Sequence, residues 1–297
     1  MTWVQYSVEV TSERTEAVSD AFVASGALSV TLQDAAGEPL LEPAPGAQPL
    51  WAKICVVALY PSDCKPETVT ASLRAVLNTT ETLHQLAPLE DRDWSTAWRD
   101  NFHAMAFGRR LWVCPEGELP PVAGAVVVQM NPGMAFGTGT HATTALCLQW
   151  LDANPPVGLS VIDYGCGSGI LAIAACKLGA HCARAVDIDP QALQATYANG
   201  ACNNVGQKLV ISPPEALQPE PADLLMANIL ANPLVELAET LTSHVCIHGR
   251  IVLTGILREQ AVHVMSAYKS RFDFRMPVQR EEWVLLEGTR RVRKAAE

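Results

Sequence analysis

The sequence predicts an α/β chain in which a small α+β domain precedes a larger domain built on a doubly wound parallel sheet. Three observations carry that prediction. Residues 2–87 give strand and helix patterns in the order β-α-β-β-α-β. Residues 160–170, S-V-I-D-Y-G-C-G-S-G-I, read as a buried strand, a tight glycine loop and the start of a helix. After them, short apolar runs alternate with helical ones, as in successive parallel β-α units. With 297 residues, 49% of them hydrophobic, the chain is long enough for two cores.

The first part is justified element by element. Residues 2–10 alternate as a strand, and 13–25 place Ala17, Val18, Ala21 and Phe22 on one helical face. Residues 27–33 return as a strand, and the turn-rich run 34–49 contains Gly37, Pro39, Pro43, Pro45, Gly46 and Pro49. A strand over 50–60, a helix over 66–77 and a weaker strand over 82–87 complete the order of a ferredoxin-like domain, expected at 1–88. It holds no catalytic cluster, which suits a carrier or recognition role. Residues 89–105 then read as a charged linker helix, with Trp94 and Trp98 on the face shared by Asn101 and Phe102, and His103 at its boundary.

The larger part, expected at 106–297, opens with R-L-W-V-C-P and A-V-V-V-Q-M, which suggest a hairpin. Residues 134–144, M-A-F-G-T-G-T-H-A-T-T, precede an apolar helix over 142–151. So many small polar groups make a ligand-facing loop or a capped turn in which Thr140 or His141 sits near the cap. At the glycine loop, Gly165, Gly167 and Gly169 alternate with small residues, so the backbone can take positive φ and approach a ligand closely. A dinucleotide fingerprint would need its third glycine where Ile170 stands, and no Walker Gly-Lys-Ser/Thr occurs. Asp163 at the strand exit would repel a pyrophosphate but meet an ammonium or hydroxyl, so the pattern leans toward an adenosine ligand with an amino acid end. Cys166 reads as a small residue in a tight turn rather than as a nucleophile.

The strand over 183–188 brings Asp187 twenty-two positions beyond Gly165, the separation expected of a carboxylate that accepts both ribose hydroxyls. Asp189 can cap the next helix, with Pro190 in its first turn. Strands follow at 208–211 and 222–228, the latter ending in Asn228, either a crevice-facing amide or a helix cap. A strand over 250–255, a helix over 258–269 and a strand over 283–287 finish the domain, and the tail R-R-V-R-K reads as solvated.

Composition narrows the partners. A formal charge of −10, from 31 acidic and 21 basic side chains, argues against nucleic acid as the main partner and is compatible with a basic protein substrate. The amino terminus is a strand pattern rather than an export signal, and no apolar stretch reads as a membrane span. Nine scattered cysteines without a Cys-x-x-Cys pair or a metal-like cluster favour reduced thiols in a cytoplasmic protein.

Together D-Y-G-C-G-S-G, V-D-I-D-P and A-N-I-L resemble the class I methyltransferases that use S-adenosylmethionine. With N-P-G-M-A-F-G-T-G-T-H-A-T-T, E-D-R-D-W-S-T-A-W-R-D-N-F and the late E-E-W, nearly the whole chain resembles the bacterial methyltransferases that modify protein eleven of the large ribosomal subunit. The resemblance implies a seven-stranded, Rossmann-like methyltransferase domain behind a small substrate-recognition domain. It implies cofactor contacts at Thr144, Gly165, Asp187 and Asn228, with Asp163 and Gly167 in the shared loop pattern and Thr140 and His141 in the family-specific loop. It also implies methylation of an α-amine and of lysine ε-amines on that ribosomal protein, free or on the ribosome, with no DNA substrate. Within this reading Asn228 orients the amine and His141 is the candidate to relay its proton. The alternatives are a related class I enzyme acting on another protein or small molecule, and a non-catalytic ribosome-associated adaptor.

Overall fold

The computed structural model describes residues 2–37, 49–77, 81–85, 89–90, 103–130 and 140–292, which fall into two compact units, Met1–Asp93 and Trp94–Glu297. The first unit contains β1 (Thr2–Thr11), α1 (Thr15–Ala24), β2 (Ser29–Asp34), β3 (Lys53–Pro61), α2 (Pro66–Leu73), β4 (Leu83–Gln85) and β5 (Leu89–Glu90). Its antiparallel sheet runs β2-β3-β1-β4, with β5 also paired to β1. Val8 lies opposite Val56, so alternate residues of both strands face one side. There Tyr6, Val8, Val10, Ile54, Val56 and Ala58 meet Val18 and Phe22 of α1 and Val69 and Leu73 of α2.

Most of the expected linker helix, residues 91–102, lies outside the described residues, as do residues 38–48 of the turn-rich run. At the connector's edges Leu89–Glu90 pair with β1, and Met105 opens a strand.

The second unit begins with a three-stranded sheet, β6 (Met105–Phe107), β7 (Leu111–Pro115) and β8 (Val126–Met130). The expected hairpin is not what forms: β7 and β8 pair in parallel, Leu111 with Val126 through Pro115 with Met130. The ten intervening residues contain Pro120, Pro121 and Gly124 and carry the chain back across the sheet, whereas a tight turn would have forced antiparallel pairing.

The main sheet is formed by β9 (Ser160–Tyr164), β10 (Cys182–Val186), β11 (Leu209–Ser212), β12 (Ala222–Asn228), β13 (Val245–Leu257), β14 (Phe272–Phe274), β15 (Val278–Arg280) and β16 (Trp283–Arg290). Its order is β11-β10-β9-β12-β13-β16-β14, with β15 added beside β16. The first five are parallel, and β16 runs antiparallel to β13. The helices are α3 (Ala142–Ala153), α4 (Ile170–Lys177), α5 (Pro190–Cys202), α6 (Ala231–Glu236), α7 (Ala238–Ser243) and α8 (Ala261–Tyr268). One core lies under α3, α4 and the small sheet, and the other under α6 to α8.

Helix α4 shows how tightly the layers close. Every residue from Ile170 to Cys176 is buried and apolar, because β9 and β10 pack on one side of the helix and β8 on another. Ile170, Leu171 and Ile173 alone each contribute roughly 1.5–3 kcal/mol of apolar burial. The far end of α3 is fixed by Asp152, whose carboxylate accepts the backbone N–H groups of Arg109 at 2.6 Å, Arg110 at 3.2 Å and Leu111 at 3.1 Å. On the same helix Trp150 Nε1 donates to Glu287 of β16 at 3.0 Å. All nine cysteines are free. Among the described residues no helix is long and apolar enough to cross a membrane.

Candidate active site

The glycine loop sits at the carboxyl end of β9, the central strand. Gly165, Gly167 and Gly169 all take positive φ, at 78°, 53° and 78°. Space confirms the need for two of them. A Cβ on Gly165 would stand 2.3 Å from Ile229 Cγ2, and one on Gly169 would stand 2.7 Å from Thr196. The loop is tied to the next strand by Gly165 and Cys166, whose N–H groups donate to Val186 O at 2.8 and 3.0 Å. Cys166 is buried, contacts Thr196 Oγ1 at 3.4 Å, and burial pushes its thiol pKa far up, so it is no nucleophile.

Two carboxylates flank this loop in contrasting states. Asp187, partly exposed beyond β10, accepts Gly167 N–H on Oδ2 at 2.8 Å and Asp189 N–H on Oδ1 at 3.0 Å. Each oxygen keeps a second lone pair, so the group is oriented without being used up. Asp189 is itself the α5 cap, accepting Gln191 N–H at 2.8 Å. Beside Asp187, Ile188 is 84% exposed, an apolar side chain at the crevice edge. Asp163 is only 1% exposed. Its Oδ2 accepts Ala172 N–H at 3.0 Å, while Oδ1 meets no hydrogen-bond partner among the described residues. Burial raises its pKa to about 7 against the lowering pull of the Ala172 bond, with Asp187 adding a smaller upward push.

The opposite wall comes from α3. Thr144, fully buried in its first turn, accepts the Asn228 Nδ2–H on Oγ1 at 3.2 Å. Asn228 ends β12, whose Ala227 pairs with Tyr164 of β9, so the amide and Gly165 stand side by side at the strand ends. His141 is the α3 N-cap: Nδ1 accepts Thr143 N–H at 3.3 Å and contacts Thr143 Oγ1 at 2.7 Å. That use of Nδ1 leaves the proton of the neutral ring on Nε2, an assignment made from the hydrogen-bond network. The ring also meets Trp283 edge-on, with centroids 5.1 Å apart. Trp283 pairs with Leu257 at the end of β13, which brings the E-E-W motif to this rim. Thr140 is exposed immediately before the cap. The remainder of the expected loop, 131–139, lies outside the described residues.

The structure thus gathers Asp163, Gly165, Gly167, Asp187, Asn228 and Thr144 at one end of the parallel sheet, with His141 as a capping residue at the wall. Sequence reasoning missed Ile229 beneath Gly165 and the polar side chains of α5 that grip the loop, beginning with Thr196, whose Oγ1 donates to Gly167 O at 3.0 Å. The one available signal was Thr196, Asn199 and Asn203 at helical spacing after V-D-I-D-P.

Strand order, the glycine loop at the central strand and the acidic residue after the second strand define a class I methyltransferase fold. A solved ribosomal protein L11 methylase from Lactobacillus delbrueckii subsp. bulgaricus is 31% identical, with a TM-score of 0.60, and the match covers 64% of this chain and all of that one. The family described as ribosomal protein L11 methyltransferase (PrmA) matches residues 2–291, and the chain belongs to it. Proteins named ribosomal protein L11 methyltransferase from Methylococcus capsulatus and Azotobacter vinelandii are 49% and 44% identical over 292 residues. These matches span 97% and 98% of this chain and 99% and 100% of those proteins.

The site fits the S-adenosyl-L-methionine of this class. It holds an oriented acceptor at the second strand, a loop where side chains have no room, and a buried carboxylate oxygen with no donor among the described residues.

Proposed function

We propose that this chain transfers methyl groups from S-adenosyl-L-methionine to ribosomal protein L11, and that the acceptors are its α-amine and lysine ε-amines, on the protein free or in the ribosome. A family match over residues 2–291 supports the reaction. The observation that carries the chemistry is the Thr144–Asn228 bond beside the glycine loop. A net charge of −10 favours a basic protein partner, and the Met1–Asp93 unit, with no catalytic cluster among its described residues, is assigned to its recognition.

When bound, S-adenosylmethionine supplies a methyl carbon activated by its sulfonium, so the protein needs little acid–base machinery. It must present a neutral amine. An α-amine titrates near about 8 and a lysine near about 10.4, and a site shielded from water favours the uncharged form. Because Asn228 spends an Nδ2 hydrogen on Thr144, its amide plane is fixed and Oδ1 is the acceptor offered to an amine N–H. That bond turns the nitrogen lone pair away from the amide and holds it for attack. Asp187 takes the ribose hydroxyls on its remaining lone pairs, while Gly165 and Gly167 let the backbone approach the cofactor. Asp163 balances the ammonium of the cofactor's amino acid end. His141 acts as the α3 cap rather than as a base, because taking a proton on Nδ1 would release Thr143 N–H. The amine proton therefore leaves by exchange with solvent.

Intact-mass measurement of L11 after incubation with enzyme and cofactor tests the reaction, and fragmentation locates the amines. For Asn228→Ala, single-turnover transfer at saturating cofactor should fall by roughly a hundredfold, on the scale of losing a transition-state contact. Normal transfer would remove Asn228 from the orienting role.

A further inference from the structure

Helix α5 carries a buried polar stripe that none of these roles uses. Thr196, Asn199 and Asn203, the last being the C-cap, lie at i, i+3 and i+7 and share a face. Asn199 and Asn203 are each 3% exposed, a costly place for an amide unless its hydrogen bonds are made. They are made to two different segments. Thr196 Oγ1 donates to Gly167 O at 3.0 Å and Asn199 Nδ2 to Ser168 O at 2.9 Å, both in the glycine loop. Asn203 turns to β8, accepting Gln129 N–H at 2.8 Å and donating to Gln129 O at 2.6 Å, and its second Nδ2 hydrogen goes to Asn199 O at 2.8 Å. The pair on Gln129 is the one a neighbouring strand would make, so a side-chain amide completes the β8 ladder. Both amide hydrogens and the oxygen are in use, which no other residue of this size reproduces.

The two gripped segments are the glycine loop and β8. Gly167 and Ser168 form the glycine loop, and β8 ends one residue after Gln129, in the chain that leads to His141 and Thr144. We infer that Asn199 and Asn203 are positioning residues: one face of α5 sets the spacing between the glycine loop and the strand feeding the Thr144 wall. The stripe thereby controls cofactor affinity without touching the cofactor. This rests on reading the cleft as the S-adenosylmethionine site.

The test compares the full-length chain with Asn203→Leu, close in size but unable to make any of the three bonds. Calorimetric titration with S-adenosylhomocysteine gives Kd, and steady-state methyl transfer to L11 gives KM for the cofactor and kcat. The expected result is a roughly tenfold rise in Kd and KM, the scale of an unmade buried hydrogen bond. At saturating cofactor kcat should stay within about threefold, and circular dichroism should show the variant fully folded at the assay temperature. A purely structural role would instead lower active enzyme, and hence apparent kcat, leaving KM in place. Unchanged Kd and KM, or a loss confined to kcat, would overturn the inference. Should the leucine variant fail to fold, Asn203→Ser, smaller and still able to bond Gln129 once, is read by the same criteria. Failure of the unaltered chain to bind S-adenosylhomocysteine would instead sink the reading of the cleft. Normal binding there together with normal binding by the variant would sink only the positioning role.

Discussion

Replacing Asp163 by asparagine takes a buried ionisation out of the cleft while leaving an acceptor for Ala172 N–H. In the folded chain this carboxyl titrates near about 7, where a solvated aspartate titrates near 3.8. Between those values the folded state holds a proton that the unfolded chain has given up, so stability falls as pH rises through that window and levels off above it. A separation of that size corresponds to about 4 kcal/mol once pH exceeds 7. Because the side chain is 1% exposed, solvent screening does little to reduce it. Urea unfolding of the cofactor-free protein, followed by fluorescence from pH 4 to 8, should therefore show the Asp163→Asn variant gaining on the unaltered protein with rising pH. The gap should grow to several kcal/mol by pH 8. Ligand binding should show the reverse. If the cofactor's ammonium pairs with Asp163 Oδ1, S-adenosylhomocysteine should displace a proton from the unaltered protein near pH 6 and none from the variant. Calorimetry in buffers of different ionisation enthalpy measures that proton. Parallel stability profiles for the two proteins would refute the claim that Asp163 is an uncompensated buried acid.

Other substitutions probe the rest of the cleft. Asp187→Ala should weaken S-adenosylhomocysteine binding by roughly ten- to a hundredfold, the range of one or two lost charge-assisted hydrogen bonds, and equilibrium titration checks it. His141→Ala should cost about 1 kcal/mol of stability through loss of the α3 cap, while the pH profile of single-turnover transfer between pH 6 and 9 keeps its shape. A changed profile would restore His141 as a proton relay. Gly169→Ala forces a methyl group toward Thr196 at 2.7 Å on a residue with φ of 78°, so a loss of about 1–3 kcal/mol is expected by urea unfolding.

Local features were legible in the sequence because their signals are local. The alternation of Gly165, Gly167 and Gly169 between an apolar strand and an apolar helix leaves few other structures, and the three positive φ angles follow from it. Asp189-Pro190 marks the start of α5 for the same reason, through the side-chain cap to Gln191. What escaped depends on partners distant in the chain. The parallel pairing of β7 with β8 is decided by the course of the intervening chain and by packing on α4, neither of which shows in the pattern of either strand. The Thr144–Asn228 bond joins residues 84 positions apart, and Asn228 reads as a helix cap as well as a crevice-facing amide. Strand β13 extends back to Val245, beyond the apolar run at 250–255, through the exposed Ile247 and His248, which give little hydrophobic pattern. His141 reads as either a cap or a proton relay, and the structure shows it capping α3 through Nδ1.

The apolar run of α4 from Ile170 to Cys176 bears on how the protein is made. Buried throughout, it has nowhere to rest until sheet and small sheet have closed over it, and the glycine loop is the stretch of chain that enters it. Nascent or half-assembled chains therefore lack a receptor for adenosyl compounds, and cellular S-adenosylmethionine stabilises only molecules whose interior is finished.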